Sequence, residues 1–261
     1  MSQGTTSTPK RLRRTQEEAA FQGGGSVVSG ILSRLSGEVG SPLDTARTLC
    51  QALLDGSHGS LSPEQRRTIE TIARQTTTTS RRVAAYIDLL RLEGGDLALN
   101  PQTFEIEDAI VSVVDTAQAE AKHKGIHLVA ERSSRPLPPV VGDPIRFAQV
   151  LSSLIDNAIK FTERGQVTVL TELYDRSVAV HVVDTGGGIS SDLLPHLFED
   201  FFQPEQSKQH LGGGLGLTLS RRLVIRMGGD LWASSTKGIG SRFSFTVPRL
   251  QDAATRRMGS A

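Results

Sequence analysis

Cysteine is almost absent: Cys50 stands alone among 261 residues. A disulfide framework is thereby excluded, and a cytoplasmic setting is the simplest expectation. Net charge is nearly absent too, with 29 basic against 28 acidic side chains and a balance of +1. That balance gives no bulk electrostatic case for nucleic acid or for a membrane surface. No apolar run approaches the roughly 20 residues needed to span a bilayer. A secretory pattern is also missing, because the basic cluster Lys10-Arg11-Leu12-Arg13-Arg14 has no apolar core after it. The cluster reads as part of a solvated tail. No Gly-x-x-x-x-Gly-Lys-Ser/Thr phosphate loop occurs. What is present is 37% apolar, ordinary for a soluble chain with flexible ends and enough for one or two domains.

The pattern along the chain divides it into four parts. Residues 1–25 are rich in Ser, Thr, Gln and Gly and read as a disordered tail ending at Gln22-Gly23-Gly24-Gly25-Ser26. Residues 26–95 read as two helices. The first carries an apolar stripe at Val28, Leu32, Leu35, Val39, Leu43, Ala46, Cys50 and Leu53, in steps of three and four, with Pro42 expected to kink it. The second starts near Ser62-Pro63-Glu64, carries Ile69, Ile72, Thr76, Ser80, Val83, Ile87 and Leu90, and stops at Gly94-Gly95. One such hairpin has little core of its own, so two copies forming a four-helix bundle, hence a homodimer, are expected.

Residues 97–249 change texture. Alternating segments at Leu97–Leu99, His127–Val129, Val167–Thr171, Val178–Val183, Leu231–Ala233 and Arg242–Val247 read as strands. Helical patterns lie between them at Ile106–Lys122, Pro144–Phe161 and Leu217–Met227. The mixture lacks a regular beta-alpha-beta rhythm, so the fold class is α+β, a mixed sheet with helices on one face. Residues 250–261 read as a frayed tail.

Three stretches in this part carry chemistry. Asp184-Thr185-Gly186-Gly187-Gly188-Ile189 puts a carboxylate at a strand end beside glycines, which lets backbone approach a flat ligand while the carboxylate accepts from an amino group. On the helix Pro144–Phe161, Asn157 and Lys160 are three residues apart and share a face. An amide oxygen and an ammonium suit a metal-bound polyphosphate, though they would also suit a solvated helix face. Leu197-Phe198-Glu199-Asp200-Phe201-Phe202-Gln203 is followed by a polar stretch and by Gly212-Gly213-Gly214-Leu215-Gly216-Leu217, which opens a helix. Glycines there expose N–H groups to phosphate. No strand runs into these glycines, as a dinucleotide fingerprint requires.

The order of these signals resembles the ATP-binding domain shared by sensor histidine kinases, gyrase, the MutL repair proteins and related ATPases. The segments called N, G1, F and G2 boxes in the histidine kinase branch match at residues 153–162, 184–189, 198–202 and 212–217. The resemblance, over roughly residues 30–248, implies a dimeric helical hairpin followed by a Bergerat-type α/β sandwich, with ATP and Mg²⁺ as cofactors. By that resemblance Asp184 reads the adenine amino group, with Gly186 and Gly188 letting the base sit close. Asn157 coordinates Mg²⁺, Lys160 and Lys208 meet phosphate charge, and Gly212, Gly214 and Gly216 close over the triphosphate. Ile189, Phe202, Leu215 and Leu217 complete the ATP-binding set, and a response regulator or phosphotransfer protein is the implied partner.

Two positions depart from the family. The hairpin resembles the family's dimerisation and phosphoacceptor domain, whose usual motif is Ser-His-Glu-x-Arg-x-Pro-Leu. Here it reads Ser36-Gly37-Glu38-Val39-Gly40-Ser41-Pro42-Leu43, so Gly37 occupies the acceptor position while Glu38 keeps the acidic residue that assists transfer. Position 37 is expected on the outward face, between a buried Leu35 and Val39. None of His58, His123, His127, His181, His196 and His210 lies on the first helix. The second departure is Ser153, where histidine kinases usually carry asparagine and gyrase-type ATPases a glutamate. A kinase core without its own acceptor, a non-catalytic adaptor with ATP as a conformational ligand, and a serine kinase of the anti-sigma-factor type all remain open at this point.

Overall fold

A computed structural model describes residues 10–200, 202 and 214–250, with side chains described from residue 30 onward except 31 and 33. The tail expected at 250–261 and the site residues Lys208 and Gly212 lie essentially outside these described residues. The chain divides into two compact units, residues 1–97 and 98–261. Among the described residues no helix is long and apolar enough to cross a membrane.

The first unit is a helical hairpin of α1 (Lys10–Leu54) and α2 (Pro63–Glu93). α1 begins inside the stretch expected to be a tail, a correction to the reading that started it at Ser26. Residues 10–21 are mostly Arg, Gln, Glu and Ala, whose helix propensities outweigh their lack of an apolar stripe. α1 also runs unbroken through Pro42; proline there removes only the bond to the carbonyl of Glu38, and Gly37 and Gly40 have no neighbour that a side chain would meet. α2 opens with a complete capping box: Gln65 N–H donates to Ser62 Oγ at 3.2 Å, and Ser62 N–H donates to Gln65 Oε1 at 2.9 Å. Within this single hairpin Leu32, Cys50, Ile87 and Leu89 are buried, but Leu35 and Val39 are 43% and 37% exposed. The expectation that they are buried is therefore corrected for one chain, and Gly37 is exposed as expected.

The second unit is the expected α+β sandwich. Its main sheet has the order β2-β4-β5-β7-β6: β2 (Ile126–Ala130), β4 (Gly165–Leu173), β5 (Ser177–Asp184), β7 (Gly240–Pro248) and β6 (Leu231–Thr236). β2 pairs parallel with β4, and the other pairings are antiparallel. A separate antiparallel pair joins β1 (Gln102–Phe104) to β3 (Val140–Gly142). No strand forms at Leu97–Leu99; the backbone is extended a few residues later, where Thr103 and Phe104 find partners in Val141 and Val140.

Three helices, α3 (Ile106–Lys124), α4 (Pro144–Phe161) and α5 (Leu215–Arg226), supply the apolar side chains that meet the sheet. α4 is the central one. Phe147, Val150, Leu151, Leu154 and Ile155 are fully buried, and Phe147 packs 5.4 Å from the Phe104 ring and 5.5 Å from Phe245. Burying side chains of this size contributes about 1.5–3 kcal/mol each, so α4 is fixed firmly before any ligand is considered.

Candidate nucleotide site

Asp184 ends β5, as the alternating pattern predicts, and faces the same side of the sheet as the buried Val178, Val180 and Val182. It is only 6% exposed. Its Oδ1 accepts from the backbone N–H of Gly186 at 2.9 Å and of Ser241 at 3.2 Å. Burial pushes its pKa up, and these two N–H groups with the Ser241 hydroxyl pull it partly back. A carboxylate so placed is an oriented acceptor at the margin of the core.

The glycines after it serve a purpose the motif did not reveal. A side chain at Gly186 would come 2.5 Å from the carbonyl of Phe161, at the end of α4. Gly188 has φ +63°, and a side chain there would collide with the carbonyl of Thr236. Both are required by packing inside the protein. Gly187 is the exposed one, with nothing within 4 Å of a would-be side chain, and its carbonyl accepts from Gly238 N–H at 2.7 Å.

α4 brings the second group of residues to this turn. Ser153, Asn157 and Phe161 are four apart and share a helix face. Phe161 meets Gly186, while a side chain at Gly216 would come 2.9 Å from Ser153 Oγ. Asn157 lies between these two contacts, half-buried, with Lys160 half-buried one turn on and its ammonium 5.0 Å from the Phe161 ring centroid. α4 is pinned at both ends. Asp143 Oδ1 accepts from Ile145 and Arg146 N–H at 3.0 and 3.2 Å, and Oδ2 from Asn100 N–H at 2.9 Å. At the far end Lys124 Nζ donates to the carbonyls of Ile159 and Lys160, both at 2.6 Å. Partial burial pushes the Lys124 pKa down.

α5 is the third element. Gly214 caps it in the left-handed region at φ 68° and, as glycine, supplies no side-chain cap. Leu215 is packed at 3% exposure, so it belongs to the core, whereas Leu217 stays half-buried. The phenylalanine segment docks on this helix. The carbonyls of Phe198 and Glu199 accept from Thr218 Oγ1, Arg222 pairs with Asp200 at 2.7 Å, and the Arg221 guanidinium lies 5.2 Å from the Phe198 ring centroid. Phe202 is half-buried, 5.8 Å from His196 ring to ring. Ile189 is half-buried at the far end of the β5 turn, and its N–H donates to Ser235 Oγ at 2.8 Å.

The Asp184 turn and Gly216 therefore meet the face of α4 that carries Asn157, and Phe198, Glu199 and Asp200 are tied to α5. Residues 142–251 match the family described as histidine kinase-, DNA gyrase B-, and HSP90-like ATPase, and this unit is a member of it. Within that class the chain groups with the catalytic cores of sensor histidine kinases. It is 34% identical to the aerobic respiration control sensor protein ArcB of Escherichia coli strain K12 over 223 residues, 83% of this chain and 28% of that protein. It is 32% identical to the histidine-protein kinase BarA of the same strain over 242 residues, 90% of this chain and 25% of that one. The chain thus spans about a quarter of the length of these relatives. Among solved structures, full-length ShkA in complex with AMPPNP superposes with a TM-score of 0.66 and 30% identity, covering 84% of this chain and 46% of that one. The catalytic domain of histidine kinase ThkA superposes at 0.51 with 27% identity, covering 57% and 98%.

Proposed function

We propose that this chain is the Mg-ATP-binding core of a two-component signalling protein whose own phosphoacceptor has been lost. The observation that carries the reading is Asp184, a buried carboxylate at a strand end whose Oδ1 is fixed by two backbone donors. The donor set fits a purine nucleotide: an oriented acceptor for an amino group, an amide and an ammonium on α4, and the backbone N–H groups of a glycine-capped helix start at α5. Bound Mg-ATP supplies the transferable γ-phosphoryl group. Asp184 accepts from the adenine amino group, with Ile189, Phe202 and Leu217 as apolar neighbours of the base. Asn157 ligates the cation, and Lys160 offsets phosphate charge. Among the described residues no group of three or more His, Cys, Asp or Glu could hold a metal ion, so the cation arrives with phosphate oxygens as its other ligands.

Gly37 and Ser153 support a second reading, an adaptor in which ATP is a conformational ligand. Glycine has nothing to phosphorylate, and Ser153, already 2.9 Å from where Gly216 would carry a side chain, is no general base. In either reading the protein is a homodimer that docks a response regulator or another phosphotransfer protein. Titration of ATP into the wild type, Asp184→Ala and Asn157→Ala proteins, beside labelling of Gly37→His with γ-labelled ATP, tests both. Tight binding lost in the two alanine variants, with label taken up by the Gly37→His variant and not by the wild type, establishes the kinase core. Binding without any transfer leaves the adaptor.

A further inference from the structure

The end of the sheet beside Asp184 contains a hydroxyl pair that the site residues above do not include. Asp184 on β5 is the cross-strand partner of Ser241 on β7, and Ser241 is the partner of Ser235 on β6. The three side chains form one row, on the same face, across three neighbouring strands. Ser235 is half-buried and sits at the junction of three bonds. Its Oγ accepts from Ile189 N–H at 2.8 Å, lies 2.8 Å from the carbonyl of Gly240 and 3.1 Å from Ser241 Oγ. Ser241 in turn contacts Asp184 through both its N–H and its hydroxyl.

We propose that Ser235 is a positioning residue that sets base specificity at this site, by locking both ends of the β5 turn to the β6–β7 hairpin. One end is Ile189, held directly; the other is Asp184, held through Ser241. Between them Gly188 packs against the Thr236 backbone so closely that a side chain there would collide with its carbonyl, and Gly187 is tied to Gly238. The turn and the hairpin are therefore one plate, and Ser235 is the side chain that joins them. Its hydroxyl donates toward Ser241 or Gly240, which leaves the Ser241 hydroxyl free to donate to Asp184. Asp184 then stays an acceptor aimed at an exocyclic amino group. A purine bearing a carbonyl oxygen at that place would face two lone pairs.

Nothing in the sequence pattern marks Ser235, because serine is common and its partners are Ile189, 46 positions away, and Asp184 through Ser241. The inference rests on the reading of Asp184 as the adenine acceptor. The experiment compares ATP and GTP affinity in the wild type, Ser235→Ala, Ser235→Thr and Asp184→Asn, with thermal melting of each. The expected result is a roughly 5- to 20-fold loss of ATP-over-GTP preference in Ser235→Ala, at a melting temperature that still reports a folded unit. Recovery is expected in Ser235→Thr, which keeps the hydroxyl. A lower melting temperature with unchanged preference in Ser235→Ala overturns the proposal, since a merely structural serine would act that way. Unchanged preference in Asp184→Asn overturns the adenine reading itself, which separates the two failures.

Discussion

At the scale of single residues, the site stores a cost. Asp184 is buried at a strand end and its pKa is raised, mainly by burial. The folded protein therefore holds that proton to higher pH than the unfolded chain does. Stability falls as pH rises from the ordinary aspartate range through the raised pKa, and is flat above it. The adenine contact proposed for Asp184 runs the other way, because the ionised carboxylate is the better acceptor and is lost as pH falls through the same pKa. We expect Asp184→Asn to melt higher than the wild type at neutral pH and equally at the acid end of the range, while binding ATP more weakly at neutral pH. Melting curves against pH for both proteins check the first part. An Asp184→Asn variant that is less stable at neutral pH would contradict it. The neighbouring glycines follow the same logic of position: Gly186 and Gly188 are demanded by the carbonyls of Phe161 and Thr236, leaving Gly187 as the open one.

At the scale of elements, α4 decides the geometry of the site. Its charged partners match its dipole, an aspartate at the N-terminus and a lysine at the C-terminus. Lys124 is mostly exposed, so its bonds are screened, and we assign it about 1 kcal/mol. Lys124→Met should then lower the melting temperature by roughly 2–4 °C and weaken ATP binding about threefold, because the released carbonyls lie within one turn of Asn157. Adenosine, which has no phosphate for that helix to meet, should lose much less. Equal losses for ATP and adenosine would mean that Lys124 supports the unit generally. The bounds of α4 were legible in advance: Asp143-Pro144 starts it, and the apolar spacing runs without a break to Phe161. β5 was equally legible from alternation. β1 and β3 were not, since three residues each give no period to detect. The motif residues Asp184, Asn157 and Gly216 could be named from order along the chain. The supporting residues Lys124, Ser235 and Ser241 could not, because their partners are set by pairing across the sheet and between helices.

At the scale of the whole molecule, the single hairpin leaves a stripe of apolar side chains exposed. Leu35 and Leu49 are two heptads apart on α1, with Val39 between them, and Ile72 and Leu90 lie five turns apart on one face of α2. Leu49 is 57% exposed and Ile72 48%. Fully burying side chains of this kind contributes about 1.5–3 kcal/mol each, and a second hairpin offers several at once. The glycines at 37 and 40 weaken α1, at roughly 1 kcal/mol each against alanine, which leaves the single hairpin less stable by itself. We therefore expect a dimer in solution and a monomer once Leu49→Glu and Ile72→Glu are combined. Light scattering reads the mass, and circular dichroism should show the monomer losing helix from the hairpin. The second unit buries its own core around Phe147 and Phe245, so ATP affinity should survive the separation. Should the double variant remain a dimer, the exposed stripe is not what joins two copies. Should ATP binding vanish with the dimer, the nucleotide site needs the second copy, and Asp184 with the face of α4 is only part of it.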